Sequence, residues 1–306
     1  MSWLRRIGFF IALNIVVVLT ISFVVNLLGL GPTITAQGMN YASLIAFCLL
    51  WGMGGAFISL LLSKQMAKWG MGVRVIDPQT RNLEERQLLE TVHRLARQAG
   101  IMKMPEVGYY DSPEVNAFAT GPTKNNSLVA VSTGLLRSMD GRSVEGVLGH
   151  EVSHIANGDM VTMTLLQGVV NAFVMALARV VAFALDNFLR GDRDRGGLGT
   201  FGYIGVVWLL EILLFIPGSF VIGWFSRQRE YRADAGGARL AGRENMIGAL
   251  KSLMRVHDLN SAVQRESQSQ TVAALKISGS GAGLFSALRA THPPLEKRIE
   301  RLQRGI

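Results

Sequence analysis

The sequence predicts a mainly α protein, with a multi-span helical membrane region joined to an α+β domain that carries a small β-sheet. Three observations predict it. Apolar residues make up 49% of the 306 and charged residues only 17%, against roughly 25% charged in an ordinary soluble domain. Long apolar runs cover Ile7–Leu30, Tyr41–Ser63, Met160–Leu189 and Gly199–Phe225. Between the second and third runs, from Pro78 to Gly158, the pattern changes to an amphipathic helix, short β-rich segments and turns. The formal net charge is +9, but no basic run interleaves with aromatics, so a nucleic-acid partner is not expected. The charge fits Lys and Arg that hold the cytoplasmic side of a bilayer. The one cysteine, Cys48, lies in an apolar run and has no internal disulfide partner.

The first run is uncharged and long enough to cross a hydrocarbon core of about 30 Å. It exceeds the apolar stretch of a signal peptide, and no small-x-small cleavage site follows, so it reads as a retained anchor. The second run contains Gly52, Gly54 and Gly55. These either permit close helix contact or reflect the general tolerance of membrane helices for glycine. Arg5 and Arg6 precede the first span, Gly31–Asn40 carries no Lys or Arg, and Lys64, Lys68 and Arg74 follow the second. The positive-inside rule places both flanks in the cytosol and the connector outside.

In "LEERQLLETVHRLARQAG", Leu88, Leu89, Val92, Leu95, Ala96 and Ala99 make one helical face. His93 within it is an ordinary helix residue. The segments "EVGYY", "VNAFA" and "SLVAVS" read as strands separated by Asp-Ser-Pro and Gly-Pro-Thr-Lys-Asn-Asn turns. "STGLL" starts a Ser-capped helix, and a further helix begins near Ser143 as N-cap and ends at Gly158.

That last helix carries "HEVSH", residues 150–154. Imidazoles four apart lie on one helix face, so His150 and His154 can reach one tetrahedral metal. Glu151, one position on from the first, can face a metal-bound water without being a ligand. A catalytic site needs a third protein ligand and an open fourth position. "IANGD" supplies no third histidine, and His257 has no companion motif. Glu230 in "WFSRQREYRADAGGARLAG" is a candidate, with Asp234 four residues on to hold a ligand imidazole in one tautomer. The alternative for this segment is a solvated helix surface, given Arg227, Arg229 and Arg232.

"HEVSHIANGD", "FSRQREYRADAGGARLAG" and "THPPLEKRIERL" together resemble the HtpX-type integral-membrane zinc metalloproteases, relatives of the CAAX prenyl endopeptidases in the gluzincin class. The likeness covers essentially the whole chain, and Asn157 and Asp159 also match the pattern; segment 188–198 matches nothing specific. The resemblance implies a zincin-like catalytic domain, one zinc per chain, His150, His154 and Glu230 as ligands, Glu151 as general base, and Asp234 as partner of a zinc histidine. It further implies a multi-pass protein of the bacterial inner membrane with its site facing the cytoplasm. Its substrates would be polypeptides, namely misfolded or damaged membrane proteins. His292 is the candidate donor to the oxyanion, or else a residue set ahead of two prolines where a helix starts. Val115–Gly121 reads as an edge strand whose Asn116 and Phe118 contact substrate by strand addition, or as an ordinary strand.

The expected organisation is residues 1–63 as two membrane helices, 64–159 as the first part of the cytosolic domain, 160–225 as two further membrane-embedded helices and 226–306 as the domain's second part. If both middle runs cross the bilayer, "RGDRDRGG" between them lies outside against the positive-inside tendency; if they only dip into it, the loop need not. Either way Glu230 returns to the side of His150. Arg179 and Glu211 lie roughly 14 and 20 Å from that loop at helical rise, and charges at such depth pair or line a wet cavity; a pair between them is expected. Two other functions remain open on the sequence: a zinc-stabilised scaffold or chaperone, which would have no use for Glu151, and a zinc hydrolase of prenylated peptides or lipid.

Overall fold

The structure is a computed structural model that describes residues 41–190, 197–269 and 292–305. The expected span Ile7–Leu30, the connector Gly31–Asn40, most of the "RGDRDRGG" loop and the side chain of His257 lie outside the described residues. The chain forms two compact units. One comprises Leu61–Val161 and the described residues from Gly223 onward; the other comprises the described residues up to Leu60 and Thr162–Ile222.

The second unit is helical. Its helices are parts of α1 (Tyr41–Gly70), α5 (Asp159–Arg190) and α6 (Gly199–Ala241). Each is long and apolar enough to cross a membrane, as three of the expected spans require. Gly52 of the second run makes a close contact: a Cβ there would lie 2.5 Å from the backbone nitrogen of Ala172. The expected intramembrane pair is present, with Arg179 Nη1 donating to Glu211 Oε1 at 2.7 Å. Phe47 lies under the guanidinium, 5.4 Å from ring centroid to Cζ. Cys48 is buried and free.

The first unit is the α+β part. Its strands are β1 (Arg74–Val75), β2 (Glu106–Tyr110), β3 (Ala117–Thr123) and β4 (Asn126–Ser132), in the sheet order β1-β2-β4-β3. β2 and β4 are parallel and the other pairs antiparallel. Helix α2 (Leu83–Gln98) starts at Asn82, whose side chain accepts from the backbone N–H of Glu84 and Glu85. It buries Leu88, Leu89, Val92, Leu95 and Ala96 against Val107, Val129 and Val131 of one sheet face. On the other face Tyr110, Leu128 and Ala130 pack with Ala67 and Val73. Being covered on both faces, β4 reads as a continuous apolar run rather than an alternating one.

Two local expectations are corrected. The third strand begins at Ala117, two residues later than expected, and runs through Gly121 and Pro122 to Thr123. Asn116 ends before it because both its backbone groups bond to Ser132. Pro122 is tolerated because β3 is an edge strand and its ladder with β4 is interrupted there. The N-cap of α4 (Gly141–Asn157) is Asp140, not Ser143: Asp140 Oδ1 accepts from the Ser143 N–H at 2.7 Å. The two-residue strand β1 carries too little pattern to have been expected. Between β4 and α4 lies α3 (Thr133–Ser138), capped by Ser132 as expected. Helices α7 (Arg243–Ser269) and α8 (Leu295–Arg304) complete the unit, packed on each other through Met246, Ile247, Leu250, Ile299 and Leu302.

Candidate metal centre

Helix α4 presents His150 and His154 on one face, both buried. It stops at Gly158, whose φ of 69° is the left-handed conformation that glycine adopts without a Cβ clash. The chain turns there, and Asp159, first residue of α5, places its Oδ2 2.6 Å from His154 Nδ1. Glu230 and Asp234 come from α6. Glycines let α6 lie against α4. A Cβ on Gly237 would stand 3.0 Å from the backbone nitrogen of His150, and one on Gly149 2.9 Å from the Cβ of Ala241.

His150 Nε2 and His154 Nε2 are 3.1 Å apart. Glu230 places Oε2 3.4 Å from the first and Oε1 3.3 Å from the second. One ligand atom from each of the three buried residues falls within 4.8 Å of the others, the geometry of a shared cation. Behind them, His150 Nδ1 is 2.9 Å from Asp234 Oδ1. Each imidazole thus has one nitrogen held by a carboxylate and the other turned to the common point, the arrangement that fixes the tautomer of a ligand histidine.

Burial by itself disfavours charged imidazolium. It is outweighed at His150 by hydrogen bonds to Asp234 and Glu230, which leave its pKa raised. At His154 Asp159 and Glu230 push it up to about 9. The carboxylates draw positive charge into a buried site. Two imidazole nitrogens and one carboxylate, each imidazole backed by a further carboxylate, suit zinc.

Sequence comparisons agree with the donor set. The profile described as Peptidase family M48 matches residues 82–306, most of the chain and both zinc-binding segments. This chain belongs to peptidase family M48. Among relatives of this M48 peptidase, "Protease HtpX" of Shewanella sp. (strain MR-4) is 52% identical over 301 residues, covering 98% of this chain and 99% of that one. "Protease HtpX homolog" of Methylacidiphilum infernorum (isolate V4) is 48% identical over 300 residues, covering 98% of both. A likeness in fold alone links it to the crystal structure of S. mikatae Ste24p, at TM-score 0.53 and 18% identity, covering 94% of this chain and 66% of that one. The protein is therefore a multi-pass membrane metalloprotease of the HtpX kind, with a zinc site formed by His150, His154 and Glu230.

Around the zinc site of this M48 peptidase lies a cleft of about 610 Å³, counting its open mouth. Glu151, His292, Asn116 and Ala117 line it with Leu135, Val147 and Leu250. Glu151 is half-buried on its wall. His292 is exposed at the rim, its Nδ1 3.0 Å from Glu230 Oε2. The ring of Phe118 packs on Tyr110, 5.7 Å between centroids, in the cluster on the sheet face away from α2.

Two residues at the centre had no role assigned from the sequence. In the sequence Asp159 is only part of a pattern, yet it holds His154. Arg298, in the "THPPLEKR" stretch, is buried, pairs with Asp234 and comes within 3.7 Å of Glu230. An arginine at that position signals nothing without knowledge that α8 folds back on α6. A carboxylate just past the helix stop was the one available hint for Asp159.

Proposed function

We propose that this M48 peptidase is an endopeptidase of misfolded or damaged membrane proteins, with its catalytic domain on the cytoplasmic side of the bacterial inner membrane. In this reading residues 1–63 and 160–225 are the membrane parts, and 64–159 and 226–306 form one catalytic domain. The observation that carries it is Glu151 on the wall of a cleft that also exposes the zinc ligands, on a chain with three helices fit to cross a bilayer. A zinc site with only a structural role would have neither the open cleft nor a use for Glu151.

Bound zinc would acidify a water and polarise the scissile carbonyl. Glu151 takes a proton from the attacking water and returns it to the leaving amine. Asp234 and Asp159 keep His150 and His154 in the tautomer that leaves Nε2 free for the metal. His292 stands at the rim to donate to the oxyanion. Phe118 lies near the start of the edge strand and Asn116 just before it, and along this strand an extended substrate adds as a further strand. The lysine and arginine asymmetry around Tyr41–Ser63 supports the cytoplasmic orientation.

The test separates base from ligand. Glu151→Gln should keep about one zinc per chain and lose most cleavage of a membrane-protein substrate; Glu230→Gln should lose both. Zinc analysis after mild chelation, beside a cleavage assay, reads the two. Full activity in Glu151→Gln would end the assignment. Cysteine labelling checks the orientation: position 111 should be shielded from outside intact cells.

A further inference from the structure

The zinc cleft continues into a pocket without charge. Apart from the zinc ligands, Glu151, Arg298, His292 and Asn116, every residue that lines the cleft is apolar. Three helices supply most of this wall. Leu135 comes from α3, Val147 from α4, and Met246, Ala249, Leu250 and Leu253 from α7. They belong to two packed clusters, Leu135 with Val147 and Ala249, and Met246 with Leu250. Leu253 packs against both clusters and, alone of the four from α7, is half-buried rather than buried. The wall is therefore close-packed core with fixed dimensions, and Leu253 forms its exposed side. Val147 precedes His150 by three residues and Glu151 by four, about one helical turn or roughly 5 Å. The pocket thus receives a side chain next to the bond under attack, not one far along the substrate.

We propose that this pocket selects a large apolar side chain, that of leucine, methionine or phenylalanine, on the residue that follows the scissile bond, and rejects a charged one there. The proposal rests on the peptidase reading above and adds a sequence rule to it. The side of the bond follows from strand pairing. Of β3 only the first residue, Ala117, lines the cleft; the other lining residues of this stretch, Asn116 and Val115, precede the strand. A substrate added antiparallel, the more stable pairing, runs against β3, from Thr123 towards Ala117. Its earlier residues lie along the strand, and its later ones pass Asn116 and Val115 into the cleft. Val115 packs in the same cluster as Leu135, Val147 and Ala249. The residue just past the cut is thereby brought to the apolar wall.

The selection has two sources. Each methylene moved from water to this wall is worth about fourfold in binding. A carboxylate or ammonium carried into the pocket would lose its hydration, and the wall offers it no partner. The guanidinium nearest to it, Arg298, is already held by Asp234 through Nε and Nη2. Large apolar side chains are what a folded protein buries, so a misfolded or damaged substrate offers the pocket what an intact one withholds.

The test uses purified full-length protein in liposomes with a membrane-protein substrate, and Glu151→Gln as background. Sequencing of fragment N-termini locates a cut, and the residue after it is then changed to leucine, phenylalanine, alanine, aspartate or lysine. The value of kcat/KM should fall about 10–100-fold from leucine to alanine, and at least about 100-fold from leucine to aspartate or lysine. The same changes at the residue before the cut should alter it by less than about fivefold. Leu253→Glu places a carboxylate at the exposed side of the pocket. Lysine after the cut should then gain at least about tenfold relative to leucine, a change of preference that loss of folding cannot mimic. Equal rates for all five residues, dependence on the residue before the cut alone, or an unchanged ranking in a Leu253→Glu protein that keeps its zinc would overturn the proposal. If substrate is cut above background without this preference, the pocket alone fails. If nothing is cut above background, the peptidase reading fails and the pocket with it.

Discussion

Arg298 grips Asp234 with two parallel hydrogen bonds, Nε to Oδ2 at 2.8 Å and Nη2 to Oδ1 at 2.6 Å. Asp234 in turn holds Nδ1 of His150 at 2.9 Å. The last helix of the chain thereby sets the orientation of a zinc ligand 148 residues before it. The fork geometry matters as well as the charge, since a guanidinium binds both carboxylate oxygens in one plane.

This chain of contacts predicts a graded series. Asp234→Ala and Asp159→Asn should each weaken zinc affinity by roughly 10–100-fold, because each frees one imidazole to turn. Arg298→Leu should be worse for stability, about 3–5 kcal/mol, since it leaves a buried carboxylate without its cation. Arg298→Lys, which keeps charge but not the fork, should fall between. Zinc retention across a chelator series and thermal unfolding measure the two effects. Wild-type behaviour of Arg298→Leu in both would show that the pair positions nothing.

Helix α6 approaches α4 closely because Gly237 has no side chain. Gly237→Ala would press a methyl against the His150 backbone and the Met246 sulfur, at 3.0 and 2.9 Å. Overpacking of this kind costs about 1–3 kcal/mol, and it should lower zinc affinity as well, because Glu230 and Asp234 ride on α6. Gly248→Ala is the control. Its Cβ would meet Ser143 Oγ at an ordinary 3.5 Å, so it should be neutral or stabilise α7 by up to about 1 kcal/mol. Equal unfolding temperatures for the two variants would contradict the packing argument.

In the membrane unit, Arg179→Gln or Glu211→Gln strands one charge among apolar helices. Each single change should reduce the yield of folded protein in detergent. The double exchange Arg179→Glu with Glu211→Arg should recover part of it, with the remainder lost because the cation no longer lies over Phe47. Additive losses, with no recovery in the exchange, would mean that the two charges act independently.

Glu106 links the sheet to the end of α1 and supplies a pH signature. Burial opposes its ionisation, but the ammonium groups of Lys68 and Lys64 outweigh this and hold its carboxyl below the usual carboxylate range. A carboxylate with a lowered folded pKa contributes stability above its unfolded pKa and loses it as pH falls through the folded value. Glu106→Gln should therefore cost on the order of 1 kcal/mol near pH 7, discounted for a side chain 39% exposed. The difference from wild type should close below about pH 4. Unfolding temperature measured against pH for both proteins checks it; a gap that stays constant into acid would point to packing rather than charge.

Much of this was open to a reader of the sequence. Hydrophobic length marks the membrane helices, because a span of lipid demands a run of about twenty apolar residues whatever surrounds it. The i, i+4 spacing of His150 and His154 survives into three dimensions because a helix fixes it locally. The Arg179–Glu211 pair was legible because a charge at membrane depth has few alternatives to a partner. Strand limits were less so: a proline inside β3 resembles a turn until the strand is known to be an edge with a free side.

By itself, then, the sequence determined the helices, the paired histidines and the candidate third ligand, all features set by periodicity, apolar length or residue chemistry within a few turns of chain. Only the tertiary structure decided that Glu230 reaches both histidines and that Asp159 and Arg298 back the site. The physical reason is that these contacts depend on how closely α4 and α6 approach over Gly149 and Gly237 and on where α8 docks. Those distances are set by side-chain packing between segments far apart in the chain, which no local pattern encodes.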